Sequence, residues 1–126
     1  MGVIKLNDRN YAGYFNDIID TSSNISRNTS VVSSFSCKCY VVGNIAYIQC
    51  QEIATSTSIS AADVELLKGF PLPKYSSNFV GGIYRDTGSS VMRLRLQSDG
   101  SIRSWYNSLS GSKSIFFTIS YPISDT

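Results

Sequence analysis

Two runs of alternating residues joined by Gly43-Asn44 constrain this chain more than any other feature in it. Phe35 to Val42 and Ile45 to Ile53 are rich in β-branched and aromatic residues. The glycine-asparagine pair between them suits the tight primed turn that connects antiparallel strands. A two-residue loop there pairs Val42 with Ile45, Cys39 with Ile48 and Cys37 with Cys50. Side chains alternate across a strand, so Cys37, Cys39, Val41, Ala46, Ile48 and Cys50 fall on one face, and Lys38, Tyr40, Tyr47, Gln49 and Gln51 on the other. The apolar and polar sets separate cleanly. This predicts a hairpin with one buried face and one wet face.

A second hairpin follows from the same logic. Val91 to Gln97 and Ser101 to Asn107 flank Ser98-Asp99-Gly100. A three-residue loop with Gly100 in the left-handed conformation pairs Leu96 with Ile102, Leu94 with Ser104 and Met92 with Tyr106. That register gathers Met92, Leu94, Leu96 and Ile102 on one face, and Arg93, Arg95, Arg103 and Trp105 on the other. Phe79 to Arg85 reads as a further strand, with Gly81-Gly82 as a bulge or a close backbone approach. Ser114 to Tyr121 reads as a closing strand ended by Pro122.

The connections carry less pattern. Residues 21 to 34 are rich in Ser, Thr and Asn and read as a loop entering a strand. Tyr11, Tyr14, Phe15 and Ile18 fit one helical face equally well as an extended arm. Ser60 to Gly69 has a capping serine, early acids and a closing Lys68-Gly69, which predicts one short helical turn. Phe70 to Tyr75 contains two prolines and is expected to run extended. Six to eight strands with one such turn make an all-β chain, an antiparallel β-sandwich of jelly-roll type.

Composition bounds the function. The chain has 126 residues, enough for one domain with its own core, and only 16% are charged. A net charge of +2, without runs of Lys or Arg, gives no reason to expect a nucleic-acid partner. No apolar run approaches the roughly 20 residues of a membrane helix, and the first residues do not read as a secretory signal, so no membrane insertion is expected. Two Asn-x-Ser/Thr-type triplets, at Asn24 and Asn28, carry little weight without such a signal.

The chain contains no histidine, which removes the Ser-His-acid and Cys-His nucleophile pairs. Asp63, Asp86 and Asp99 sit where turns and caps use aspartate, so no catalytic residue and no enzyme activity are expected. No dinucleotide or phosphate-loop fingerprint occurs, and no cofactor is expected. Cys37-x-Cys39 lacks the spacing of zinc sites, and no metal is expected. The three cysteines, Cys37, Cys39 and Cys50, read as buried free thiols; Cys37 with Cys50 is the one pair the register places face to face.

The face bearing Arg93, Arg95, Arg103 and Trp105 is the best candidate for ligand binding. Guanidinium forks and an indole plane suit sugar hydroxyls, phosphates or carboxylates. The same residues could line a subunit contact, or stack on one another as ordinary surface. Tyr40, Tyr47 and Gln49 admit the same readings, with subunit contact favoured.

The order of these features also resembles a known group. VVGNIAYIQCQEI, then LLKGFPLPKY, then the Ser98-Asp99-Gly100 hairpin with Ile102, then FFTISY, are similar to the C-terminal head domains of tail-fibre, baseplate and minor structural proteins of tailed phages. The similarity spans roughly residues 35 to 121. It departs at Gly69-Phe70, which precedes the prolines where the group has Leu-Pro first. The resemblance implies a homotrimeric β-sandwich head over 31–126, preceded by an N-terminal arm or shoulder over 1–30. It implies a place in the virion, assembled in the host cytoplasm beside other tail or baseplate proteins. It further implies a host cell-surface polysaccharide as ligand, bound without catalysis; the alternatives are a purely structural virion domain and a monomeric, lectin-like carbohydrate-binding module. No binding residue of the group maps onto these motifs.

Overall fold

The computed structural model describes residues 5–6, 9–10, 18–60, 63–75, 78–84, 91–106 and 113–124. Its strands are β1 (Lys5–Leu6), β2 (Arg9–Asn10), β3 (Ile18–Asp20), β4 (Ser26–Arg27), β5 (Val32–Val42), β6 (Ile45–Thr55), β7 (Glu65–Lys68), β8 (Asn78–Tyr84), β9 (Val91–Leu96), β10 (Ile102–Tyr106) and β11 (Ser114–Pro122), with a 3-10 turn at Ser22–Asn24. β1 and β2 pair with each other. The other nine form one antiparallel ladder in the order β3-β5-β6-β11-β8-β9-β10-β7-β4. The ladder folds over so that the inner faces of β5-β6-β11 and of β9-β10-β7 share a single core, a β-sandwich.

The first hairpin has the expected register from its loop to Cys37–Cys50; beyond that pair, a bulge at Ser36/Cys37 and another at Val32/Ser34 shift it, so that Ser36 pairs with Glu52 and Phe35 with Ile53. Val42 pairs with Ile45, Cys39 with Ile48 and Cys37 with Cys50, and Gly43 takes a positive φ of 62° at the first loop position. Cys37, Cys39, Val41, Ala46, Ile48 and Cys50 are all buried. β5 begins at Val32, earlier than the alternation suggested, because Val32 is itself fully buried opposite Thr55. The three cysteines are free thiols.

The second hairpin agrees at its tip and departs at its end. Leu96 pairs with Ile102 and Leu94 with Ser104, around Gly100 at φ 81°. Tyr106, however, pairs with Arg93 rather than Met92. A bulge at Trp105 inserts one extra residue, which alternation along the strand cannot reveal. Conversely, Gly81-Gly82 carries no bulge: β8 and β9 pair in unbroken register from Asn78↔Leu96 to Ile83↔Val91.

The expected helical turn at Ser60–Gly69 is absent among the described residues of that segment, which instead ends in β7. The cause lies forty residues away in Ser104, which is fully buried. Asp63 donates its backbone N–H to the Ser104 carbonyl at 2.7 Å, and Ser104 donates its own to the Val64 carbonyl at 2.9 Å. The Ser104 hydroxyl accepts from the Val64 N–H at 3.0 Å and donates to the Ser60 carbonyl at 3.0 Å. These bonds hold the segment extended along β10. Asp63 has φ 56°, which a right-handed helix cannot contain. A bulge opposite Ile102–Arg103 then leaves consecutive Leu66 and Leu67 both fully buried.

Phe70 to Tyr75 runs extended beside the chain's last strand, as its prolines dictate. Lys74 donates to the Pro122 carbonyl at 2.9 Å, and Pro73 bridges to Ile123. Of the aromatic lead-in, Ile18 lies in β3, whereas Tyr11, Tyr14 and Phe15 lie outside the described residues. β3 and β4, which precede residue 30, both belong to the main ladder, and Ile25 between them is in the core.

Three buried groups hold their protons more tightly in the fold than in the open chain. Hydrogen bonding with Cys50, then burial, raises the Cys37 thiol; burial raises Cys39 and Tyr121. The Tyr121 hydroxyl donates to the Pro71 carbonyl at 2.8 Å. A pKa raised by folding gives stability that is complete below the unfolded value and is lost as pH rises above it. The thermal midpoint should therefore be flat up to about pH 8 and fall by several degrees per unit above it, as thiols and then tyrosine ionise in the unfolded chain. Circular dichroism melts across pH 6 to 11 check this; a flat profile throughout contradicts it.

Candidate functional site

The Arg/Trp face forms, but its members are differently employed. Arg95 and Arg103 are cross-strand partners on β9 and β10. The Arg95 guanidinium lies 4.4 Å from the centre of the Trp105 ring, a cation–π stack that covers one indole face. Trp105 remains 38% exposed, and Arg93 is exposed at the Trp105 bulge opposite Tyr106.

Arg103 turns toward protein acids. Its Nη1 lies 3.7 Å from Asp63 Oδ1, and its Nη2 lies 3.4 Å from Glu65 Oε1 and 3.8 Å from Asp99 Oδ2. Its Nε donates to the Ser101 hydroxyl at 3.0 Å, which in turn donates to Asp99 Oδ1 at 2.7 Å. The Ser101 hydrogen bonds hold the Asp99 carboxyl below its ordinary pKa range. Arg103 thus clasps β7 and the 98–101 loop together, leaving its fork little capacity for an outside anion.

Tyr40 and Tyr47 are direct cross-strand partners, 39% and 49% exposed. The third strand continues their row, since Ser120 of β11 pairs with Tyr47 and Thr118 pairs with Gln49. Lys38 pairs with Gln49 on the other side. Two rows therefore cross three strands: Tyr40, Tyr47, Ser120 and Lys38, Gln49, Thr118. Between them runs a shallow groove of about 550 Å³ lined by Tyr40, Tyr47, Ile48, Gln49, Thr118, Ile119 and Ser120. Aromatic faces, an amide and hydroxyls converge there, and Lys38 stands in the row that borders it.

Thr118 and Ser120 entered the sequence reading only as part of a closing strand. Their signal is the alternation of β11, in which Phe117 and Tyr121 are buried while Thr118 and Ser120 are exposed. What the sequence could not supply was the neighbour: β11 sits beside β6 through a contact more than sixty residues apart in the chain.

A second groove, of about 400 Å³, is chiefly apolar. Ile19, Val41, Phe70, Pro71, Leu72 and Ile123 contribute to it, Ile19 and Leu72 being about half exposed. Among the described residues no cluster of His, Cys, Asp or Glu could hold a metal ion.

No family model matches this chain, and no curated protein is recognisably similar to it in sequence. A solved structure matches it in fold. The head domain of phage bIL170, described with the receptor-binding domains of lactococcal phages, matches over 86% of this chain and 100% of that domain, with a TM-score of 0.61 and 20% identity. Identity at that level speaks to architecture alone, and the architecture is the one the order of hairpins implied. This chain has the fold of a phage receptor-binding head domain.

Proposed function

We propose that this chain is the head domain of a phage tail protein that attaches the virion to its host by holding a cell-surface glycan, without cleaving it. The fold shared with the bIL170 head domain carries the reading. We place the ligand on the Tyr40–Tyr47 groove. A neutral saccharide needs an aromatic plane for its C–H faces and fixed donors and acceptors for its hydroxyls. Tyr40 and Tyr47 offer the first, and Gln49, Thr118 and Ser120 the second. Arg103, committed to three carboxylates, is a weaker ligand residue than its sequence position suggests. The head works as a homotrimer in this reading, so that several weak sites act together on one cell.

Tyr47→Ala should lower binding to host cells, or to their extracted polysaccharide, at least ~10-fold, while the molar mass in solution stays that of a trimer. Trp105→Ala and Arg95→Ala, in the same binding measurement, should have smaller effects. Loss of the trimer in Tyr47→Ala would make the tyrosine face a subunit contact instead. Unchanged binding and mass in Tyr47→Ala would remove the groove from both roles.

A further inference from the structure

The β5–β6 hairpin holds two thiols in a geometry that fits a covalent bond. Cys37 and Cys50 are directly opposed. In a hairpin closed by two residues, the Val42–Ile45 pair next to the loop exchanges hydrogen bonds, and the pairs then alternate. Tyr40–Tyr47 and Lys38–Gln49 are therefore hydrogen-bonded pairs, while Cys39–Ile48 and Cys37–Cys50 are not. The bonds of Cys39 agree with this: its N–H donates to the Ser22 hydroxyl at 2.9 Å, and its carbonyl accepts from the Thr21 N–H at 2.9 Å, both away from β6.

Opposed residues of a non-hydrogen-bonded pair bring their Cα atoms to about 4.5 Å. Disulfides span Cα separations of roughly 4.4–6.8 Å. Directly opposed Cβ atoms lie about 4.5–5.5 Å apart and are closest in non-hydrogen-bonded pairs, which brings the two side chains face to face. The third thiol, Cys39, faces Ile48 and is only a diagonal neighbour of Cys50, a separation of roughly 7–8 Å. Geometry therefore selects one pair of the three.

Access is one-sided. Cys50 is 2% exposed, but Cys37 lines a surface cavity of about 440 Å³ with Asp20, Ser22, Ser23 and Lys38. Cys37, 8% exposed, is therefore the thiol of the pair that a reagent meets first.

We propose that Cys37 and Cys50 are a latent modification site, two thiols that a small-molecule disulfide such as oxidised glutathione converts into one cross-strand disulfide. At alkaline pH, where the tightly held proton of Cys37 can be removed, its thiolate attacks one sulfur of the reagent, forming a mixed disulfide and releasing one thiol. The Cys50 thiolate then attacks Cys37 Sγ, closes the bond and releases the second thiol. Both cysteines are oxidised by one electron each, the reagent takes up those two electrons, and the two protons end on its thiols. The site rests on the hairpin alone, so its fate is independent of any glycan.

The test uses the folded chain incubated with oxidised glutathione at alkaline pH, quenched in acid, unfolded and titrated for thiols. The count should fall from three to one, and peptide mass analysis should find Cys37 joined to Cys50 within one chain. Cys39→Ser should fall from two to none, and Cys37→Ser should form no bond between its two remaining cysteines. Three thiols retained by the native wild-type chain would overturn the proposal, as would a disulfide that contains Cys39 or joins two chains. Peptide mapping of the wild type decides the matter even where a variant fails to fold.

Discussion

Gly69→Ala is expected to cost about 3–5 kcal/mol, enough to leave little of the folded state at 37 °C in a domain of ordinary stability. Gly69 adopts φ 98°, a region L-residues rarely enter. A Cβ at this position would collide with the backbone carbonyl of Asn24, in the 3-10 turn between β3 and β4. Backbone atoms cannot step aside as a flexible side chain would. Relief requires moving either that turn or the Lys68–Phe70 segment, and Leu67 and Phe70 on either side are core residues. Chemical denaturation of the two proteins measures the difference; a loss under 1 kcal/mol would mean the turn yields freely. Gly43→Ala provides the contrast. It shares the positive φ but has nothing within 4 Å of the added methyl, so it pays only the conformational cost of about 1–2 kcal/mol.

Ser104→Ala is expected to lose about 2–4 kcal/mol, unusual for the deletion of one oxygen atom. The hydroxyl is buried and serves both an N–H at Val64 and a carbonyl at Ser60. Removing it takes the acceptor from the half-buried Val64 N–H and the donor from the Ser60 carbonyl at once. The loss should be accompanied by faster amide exchange at Val64, because that N–H has lost its acceptor while the backbone bonds of Asp63 and Ser104 persist. A denaturation midpoint and an exchange experiment on one sample separate this from a general loosening. Unchanged exchange at Val64 would mean that another acceptor replaces the hydroxyl.

Ser104 also explains where the sequence could be read and where it could not. The two hairpins were legible because their information is local. Gly43 and Gly100 select the turns, and alternation then fixes which residues oppose each other for several pairs. Ser60 to Gly69 misleads for the opposite reason. Its serine, acids, lysine and glycine sit where a helix wants them, yet the bonds that decide its conformation come from residue 104. Tertiary partners override a local pattern this short. The error spread to the candidate site. Asp63 and Glu65, read as helix-stabilising acids, are in fact the partners that occupy Arg103. The Trp105 bulge was equally hidden, since nothing in the alternation of β10 marks the inserted residue. The opposition of Tyr40 and Tyr47 was fully legible; Thr118 and Ser120 needed the order of strands in the sheet.

Residues 18 to 27 have a role that neither hairpin discloses. β3 stands at one end of the nine-stranded ladder and β4 at the other, so a single short stretch of chain terminates both. A sheet margin of unpaired amides and carbonyls invites another chain to add itself as the next strand. Here the outermost strands are three and two residues long, too short to template such growth, and the longer β5 and β7 lie behind them. One stretch of chain thus covers part of each margin: β3 pairs with Tyr40, Val41 and Val42 of β5, and β4 with Leu67 and Lys68 of β7. Cutting it away would lay bare backbone donors and acceptors on β5 and β7 in one stroke.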